Sequence, residues 1–225
     1  MKEETILILG GYGNTGRLMA DLLLQETTAD VVIAGRSQER AQQLADGLNR
    51  SYPGQRVRAV FADAAQPRTL CDALAGAKML VVASATAEYT EGVAQAALEA
   101  GVDYFDVIVS GHKLQILRGF EAQIEENGRW FITDGGFHPG LPAALIRFVA
   151  PAFDHLLQAR VGSVIKIDWS ALEFSPSTMQ EFAAEFLDFQ TIAYEGGAWR
   201  KIGWISMMKP QTMEFGPLFG RQYAI

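Results

Sequence analysis

Cysteine is nearly absent from this chain. Cys71 is the single cysteine among 225 residues, so no internal disulfide can form. The acidic start, MKEETILILGG, carries too short an apolar segment for a secretory signal peptide. We therefore expect a protein of the cytoplasm, in which Cys71 packs as a small apolar residue.

Runs of cations and long apolar runs are missing as well. Lys and Arg number 19 against 26 Asp and Glu, which gives a formal net charge of -7 at pH 7. Because affinity for nucleic acids comes largely from clustered cations that displace counterions, we predict no nucleic-acid partner. No apolar run approaches the ~20 residues that a membrane-spanning helix needs, so no membrane insertion is expected.

Short β-branched runs alternate with segments of helical period in the first part of the chain. Runs that are apolar at successive positions are typical of strands covered by helices on both faces. Between the runs, apolar residues recur three and four apart, beginning with Leu18 and Leu22, and predict crossover helices. Right-handed crossovers then predict an α/β Rossmann fold, a doubly wound parallel sheet in the order 3-2-1-4-5-6. The six predicted strands are Thr5 to Gly10, Val31 to Gly35, Val57 to Phe61, Met79 to Ala83, Tyr104 to Ile108 and Trp130 to Thr133.

The pattern changes after the sixth predicted strand. The stretch DGGFHPGLPAALIRFVAPAF is a glycine-proline loop followed by an apolar helix, and strand-like and helix-like segments are mixed beyond it. We predict an NAD(P)-binding Rossmann domain at residues 1–157 and a partial α/β (α+β) substrate or dimerisation domain at residues 158–225, which we expect to be truncated. An apolar end segment should be buried by a continuation or by another subunit, so we predict a homodimer. Its residues are Phe215, Leu218, Phe219, Tyr223 and Ile225.

A glycine-rich turn joins the first strand to the first helix. The stretch GGYGNTG satisfies both G-x-G-x-x-G and G-x-x-G-x-x-G. A dinucleotide pyrophosphate needs such a tight turn, a residue without a side chain where it touches backbone, and a small residue where helix meets strand. We predict cofactor-binding residues at Gly10, Gly11, Gly13, Asn14, Thr15 and Gly16. The side chains of Asn14 and Thr15 either donate to phosphate or cap the helix.

The end of the second strand indicates which dinucleotide binds. NAD sites usually have Asp or Glu about 20 residues after the last glycine, to accept hydrogen bonds from the ribose hydroxyls. Here the sequence has Arg36 and Ser37, with Arg40 one helical turn further on. Arginine can form a bidentate pair with a 2'-phosphate. We therefore predict NADP as the cofactor in preference to NAD, with these three residues at the 2'-phosphate.

Two further strand ends supply candidates. Asp63 closes the third strand and either meets the adenine amino group or caps the next turn. Ala83, Ser84 and Ala85 close the fourth strand and are small enough for backbone to approach the cofactor, although helix packing would also explain them.

These residues resemble one known family. The stretches GGYGNTG, AGRS, YFDVI and above all DGGFHPGLPAAL are similar to those of saccharopine dehydrogenase-like oxidoreductases. The resemblance covers residues 5 to about 150 and implies a Rossmann fold with a second α/β domain toward the C-terminus. It also implies NADP or NAD as cofactor and reduction or formation of carbon-nitrogen linkages in amino acids and polyamines, or, as in other members, reduction of carbon-carbon bonds. Members of the family are commonly much longer than this chain.

Two other classes of site fail direct checks. Short-chain dehydrogenases use Tyr-x-x-x-Lys, and no tyrosine here is followed four positions later by lysine. His112, His138 and His155 lack the i, i+4 spacing and carboxylate neighbours of a metal site, so we predict no metal.

Candidates for an acid or base must lie near the carboxyl ends of strands, where the ligand crevice opens. We predict Asp106, in the fifth strand, and His138, in the loop after the sixth, as catalytic residues. Histidine titrates near neutral pH, although an exposed loop histidine would explain His138 as well. His112 and Lys113 are better explained as the start of a helix.

The sequence therefore predicts an NADP-dependent oxidoreductase that acts on a small metabolite. A different class of function stays open: a non-catalytic NADP-binding sensor or scaffold, in which the bound cofactor changes a partner interface.

Overall fold

The computed structural model describes residues 4–137, 140–166, 168, 179, 183, 192–195, 197–203 and 211–224. The chain divides into two compact units, Met1–Leu141 and Pro142–Ile225. The functional domains expected at residues 1–157 and 158–225 stay predictions, because compactness alone assigns no role to either segment.

A parallel six-stranded sheet forms the centre of the first unit. Its order is β3-β2-β1-β4-β5-β6, as predicted for a Rossmann fold. The strands are β1 (Thr5–Leu9), β2 (Asp30–Gly35), β3 (Val57–Phe61), β4 (Met79–Val82), β5 (Asp103–Asp106) and β6 (Phe131–Ile132). β5 ends two residues earlier than expected, because the chain leaves the sheet after Asp106 and the Ile108 carbonyl accepts a hydrogen bond from the Lys113 ammonium.

Helices connect successive strands. They are α1 (Asn14–Glu26), α2 (Gln38–Ser51), α3 (Pro67–Leu74), α4 (Thr90–Glu99), α5 (Gly111–Gly119) and α6 (Glu121–Glu126), with a 3₁₀ turn at Ala87–Tyr89 before α4. Ser37 caps α2: its side chain accepts a hydrogen bond from the Arg40 amide. The crossover helices that the periodicity predicts are therefore confirmed.

The sheet is buried on both faces. Leu7 and Leu9 of β1 pack in one apolar cluster with residues of α3, α4 and α5, whereas Ile8 packs in another with residues of α1 and α2. Leu7 and Ile8 have no exposed surface, which explains why β1 shows no alternation of polar and apolar residues. Full burial of one such side chain stabilises the fold by about 1.5–3 kcal/mol.

The apolar residues that predict α1 lie on its outer side. Leu18 is 67% exposed and Leu22 is 56% exposed. The helix instead buries Gly16, Ala20 and Leu24, and at Gly16 it packs so closely on the glycine-rich turn that a Cβ would overlap the Gly10 carbonyl oxygen.

The second unit is described in parts. The helix α7 (Gly140–Val149) begins just before the unit boundary. Strands β7 (Ile192–Glu195) and β8 (Ala198–Lys201) form an antiparallel pair. A second antiparallel pair consists of β9 (Gln211–Glu214) and β10 (Arg221–Ala224), which the short helix α8 (Gly216–Phe219) connects. Helix and antiparallel strands thus occur in the segment where an α+β domain is expected.

Candidate functional site

The glycine-rich turn lies at the carboxyl end of β1. The amides of Gly10 and Gly11 both donate to the Ala34 carbonyl, at 2.8 and 3.2 Å, and so tie the turn to β2. Gly10 has φ 81°, and a Cβ on it would lie 2.5 Å from the Ser84 Cβ. A Cβ on Gly16 would overlap the Gly10 carbonyl oxygen. Both positions require glycine because backbone meets backbone there.

Gly13 has a different environment. It is the N-cap of α1 with φ -73°, and a Cβ on it would meet only the Gly10 carbonyl oxygen, at 3.2 Å. No side chain caps the first turn of α1, and Asn14 and Thr15 are exposed helical residues rather than caps. The lack of a side chain at Gly13 and the uncapped amides of α1 are what a pyrophosphate requires. The contact of Asn14 and Thr15 with phosphate stays a prediction.

The loop after β2 brings the predicted 2'-phosphate residues together. Arg36 and Arg40 are exposed, and Ser37 lies between them as the cap of α2. Tyr12, from the glycine-rich turn, reaches this loop. Its hydroxyl accepts a hydrogen bond from the Ser37 amide at 3.0 Å, and the Arg40 guanidinium carbon lies 4.6 Å from the centroid of its ring. Sequence reasoning missed Tyr12, because its position between glycines gives no sign of its partner.

Asp63, at the carboxyl end of β3, caps the turn that follows. Its carboxylate accepts from the amide two residues further on at 3.1 Å and from the Gln66 side chain at 3.2 Å. A hydrogen bond with Glu88 is the first cause that raises the pKa of the Tyr89 phenol; the charge of Asp63 also raises it, and that of Arg36 lowers it. Tyr89 therefore lies near both residues and is a second neighbour that the sequence did not indicate. The contact of Asp63 with adenine stays a prediction.

The segment Ala83 to Ala85 follows β4 and lies beside the glycine-rich turn. The Ala83 amide donates to the Leu9 carbonyl at 2.9 Å. The Ser84 hydroxyl is buried and has no hydrogen-bond partner among the described residues. A buried hydroxyl without a partner is costly, so this atom is suited to a polar group of a bound ligand.

Asp106, predicted as catalytic, is at the centre of a buried charged cluster. It is 1% exposed and forms an ion pair with Lys113, which is 2% exposed. Its carboxylate also accepts from the hydroxyls of Tyr104 at 2.7 Å and Thr133 at 3.0 Å, and from the Asp134 amide at 3.3 Å. The carboxylate is thus fully engaged within the protein, and its catalytic role stays a prediction. The other catalytic candidate, His138, lies outside the described residues.

Lys113 joins the ends of β5 and β6. Its ammonium contacts Asp106, the Ile108 carbonyl and the Asp134 carboxylate, the last at 3.1 Å. All three of its donors are therefore used. Burial is the first cause that raises the pKa of Tyr104 far above its usual value, and the charge of Asp106 raises it further. The phenol stays protonated and donates. Lys113 lies one helical turn before the buried Leu117. This spacing is the only sequence signal that could have predicted that Lys113 is buried.

All these groups follow the carboxyl ends of parallel strands and so share one edge of the sheet, where ligands of open α/β sheets bind. Residues 6–130 match the family model described as the saccharopine dehydrogenase NADP binding domain. The chain belongs to this family. The cofactor of the domain is NADP, as predicted from Arg36 and the glycine-rich turn.

A solved structure shares this fold, and a second one is less similar. Apo saccharopine dehydrogenase (L-Glu forming) from Saccharomyces cerevisiae is 20% identical, with a TM-score of 0.54; the match covers 66% of this chain and 31% of the yeast chain. Triphenylmethane reductase of Citrobacter sp., complexed with NADP(H), is 23% identical, with a TM-score of 0.43, over 56% of this chain and 48% of the reductase. This chain thus matches about a third of the yeast enzyme's length. A search of curated protein sequences finds no match.

The family's cofactor fits the residues present at this edge. Gly13 has no side chain to block the uncapped first turn of α1, and the Ser84 hydroxyl is buried without a partner among the described residues. The exposed Arg36 stands where an NAD site has a carboxylate. In the described part of the chain, no group of three or more His, Cys, Asp and Glu residues could hold a metal ion. No described helix is long and apolar enough to span a bilayer.

Proposed function

We propose that this chain is an NADP-dependent oxidoreductase of the saccharopine dehydrogenase-like type. Its substrate is a small metabolite, and it acts at a carbon-nitrogen bond of an amino acid or polyamine. The observation that carries the proposal is the glycine-rich turn before the uncapped start of α1, with Arg36 at the same sheet edge, in a domain of this family. NADPH, when bound, supplies a hydride to carbon, and the protein has to orient the substrate and supply a proton.

Each predicted residue has a specific part in this proposal. The backbone of Gly11 and Gly13 and the first amides of α1 hold the pyrophosphate, and the side chains of Asn14 and Thr15 add donors. Arg36, Ser37 and Arg40 bind the 2'-phosphate. Asp63 accepts from the adenine amino group, and the segment of Ala83, Ser84 and Ala85 lies against the nicotinamide half. Gly10 and Gly16 give the turn its shape.

The proton donor in this proposal is His138. Asp106 is the weaker candidate, because proton exchange with a substrate would break its buried pair with Lys113. The same observation favours a second candidate function, a non-catalytic NADP-binding sensor or scaffold. The buried Asp106 and Lys113 and the partly exposed Asp134 are engaged with one another, so none of these three groups is free to transfer a proton.

The cofactor part is tested by Arg36→Ala in the full-length chain. Loss of a charge-assisted contact worth about 1.5–3 kcal/mol should weaken NADPH binding by roughly ten- to a hundredfold, at about 1.4 kcal/mol per decade. Affinity for NADH should stay unchanged. Arg58→Ala is the matched control, because this exposed arginine lies near the start of β3, away from the carboxyl edge. Because Arg40 can mask part of the loss, the double variant Arg36→Ala, Arg40→Ala is the stricter test.

Fluorescence titration of both nucleotides measures these affinities, and repetition at raised salt screens the charge contribution. Equal losses for NADPH and NADH in Arg36→Ala would refute the 2'-phosphate site.

A second experiment separates the enzyme from the sensor. The protein, NADPH and pairs of an amino acid with an oxo acid are mixed, and NADPH absorbance is followed. Consumption of NADPH that His138→Ala abolishes supports the enzyme. The sensor is supported if NADPH binds tightly but no pair leads to its consumption, and if mass spectrometry of the purified protein finds no retained substrate.

We also propose a cytoplasmic homodimer. In the second unit, Leu218 is 83% exposed and Tyr223 is 80% exposed, and exposed apolar groups of this kind mark interfaces in soluble proteins. Phe215 and Phe219 are partly buried, and Ile225 lies outside the described residues. Light scattering at increasing concentration tests the dimer, and a stable monomer at high concentration would overturn it.

A further inference from the structure

The side chain of Tyr12 bridges two loops to which the proposed function assigns different parts of a dinucleotide. It starts from the glycine-rich turn and ends against the loop after β2. A Cβ on Gly35 would lie 2.5 Å from the Tyr12 Cε1, so the ring packs directly on the backbone at the end of β2. The Tyr12 hydroxyl accepts from the Ser37 amide at 3.0 Å.

This hydrogen bond fixes the start of α2. Ser37 is the N-cap, and its own amide therefore has no partner within the helix. The Tyr12 hydroxyl satisfies that amide and holds Ser37 in place. The Ser37 Oγ accepts from the Arg40 amide, and its hydrogen stays available for a ligand.

The ring of Tyr12 also restrains Arg40. The guanidinium carbon lies 4.6 Å from the ring centroid, which is a cation–π contact. Such a contact uses the face of the guanidinium and leaves its N–H donors available for an anion. An arginine held in this way loses less side-chain freedom when it binds phosphate than one that is free in solvent.

We propose that Tyr12 is a positioning residue that determines the preference for NADP over NAD. It orders Ser37 and Arg40 for the 2'-phosphate and makes no contribution to NAD, which lacks that group. The inference rests on the 2'-phosphate site proposed above. Tyr12 adds to that site the residue that aligns its donors.

The test compares nucleotides with and without the 2'-phosphate, using calorimetry on the full-length chain. The probes are NADPH against NADH, and adenosine 2',5'-bisphosphate against 5'-AMP. Tyr12→Phe loses the Ser37 amide's partner but keeps the ring, so the 2'-phosphorylated probes should bind about three- to tenfold more weakly. Tyr12→Ala also loses the cation–π contact, and the loss should grow to roughly ten- to thirtyfold. NADH and 5'-AMP should be unaffected by Tyr12→Phe.

Tyr52→Phe is the matched control. The Tyr52 hydroxyl donates to the Asp21 carboxylate at 2.7 Å, and Tyr52 caps the opposite end of α2. This variant removes a tyrosine hydrogen bond of similar length and should leave all four probes unchanged. A double-mutant cycle with Arg40→Ala then tests the route: if Tyr12 acts through Arg40, Tyr12→Ala should cost less in the Arg40→Ala background than in the parent.

The outcomes separate this inference from the proposed function. If Arg36→Ala weakens only the 2'-phosphorylated probes but Tyr12→Ala weakens none or weakens all four equally, the 2'-phosphate site stands and the role of Tyr12 is refuted. If Arg36→Ala shows no selectivity, the site itself is refuted and the inference with it. Thermal unfolding of each variant accompanies the titrations. A lower melting temperature with an unchanged NADPH to NADH ratio would mean that Tyr12 only stabilises the fold, which also overturns the inference.

Discussion

Replacement of the buried Lys113 by methionine should destabilise the first unit strongly. The substitution keeps the length of the side chain and removes the ammonium from Asp106, Asp134 and the Ile108 carbonyl. Removal of one partner from a buried ion pair costs about 3–5 kcal/mol, because the other charge is left uncompensated. Tyr104 still donates to Asp106 at 2.7 Å, which favours the lower end, about 3 kcal/mol. That is a large part of the 5–15 kcal/mol by which domains are ordinarily stable.

Urea unfolding of the full-length chain measures this loss. Lys78→Met is the control, because Lys78 is exposed before β4 and its replacement should change the free energy of unfolding by less than about 0.5 kcal/mol. Replacing both partners, Lys113→Met with Asp106→Asn, removes the unpaired charge and should recover part of the stability. A loss of less than about 1 kcal/mol in Lys113→Met, or no recovery in the double variant, would refute the argument that the cluster is held together by its charges.

Three further predictions concern the turn and two titrating groups. Gly16→Ala places a methyl group on the Gly10 carbonyl and should cost about 1–3 kcal/mol in thermal unfolding; an unchanged melting temperature would mean that the helix can shift. Burial raises the pKa of Tyr104, so its contribution to stability is complete below the unfolded pKa of about 10 and is lost as pH rises above it. In an alkaline titration followed by phenolate absorbance, Tyr104 should therefore ionise only when the protein unfolds. Ionisation of Tyr104 before unfolding would contradict its burial. Burial, then the hydrogen bond to Glu99, raises the pKa of Cys71, so Glu99→Gln should lower that pKa and speed alkylation by iodoacetamide; an equal rate in both proteins would exclude any influence of the carboxylate.

Local chemistry was enough to predict the sheet and its glycine-rich turn. Ile6 to Leu9 of β1 are apolar at successive positions, which is typical of a strand that is covered on both faces. The spacing of Gly10 and Gly16 in the sequence fits a tight turn followed by the first residues of a helix. Arg36 comes directly after β2, at the position where an NAD site has a carboxylate, and the preference for NADP follows from that chemistry alone.

Side-chain partners far apart in the sequence could not be predicted in the same way. Tyr12 and Ser37 are 25 residues apart, and Lys113 and Asp134 are 21 apart; each pair meets only because neighbouring strands end at one sheet edge. From the sequence, Asp63 closes the third predicted strand and Asp106 lies within the fifth, and both are candidates for the ligand edge. Only the structure shows that one caps an exposed turn while the other is buried with a lysine.

The first helix, α1, was only partly predictable from the sequence. Periodicity fixed that a helix follows the turn, because local hydrogen bonds and side-chain spacing suffice for that. It did not fix which side faces the sheet: Leu18 and Leu22 are the larger apolar residues, yet Gly16 and Ala20 are buried. The tertiary structure decided this, because Gly16 packs against the glycine-rich turn so closely that a Cβ there would overlap the Gly10 carbonyl oxygen. Steric fit between backbones outweighed the burial of larger apolar side chains.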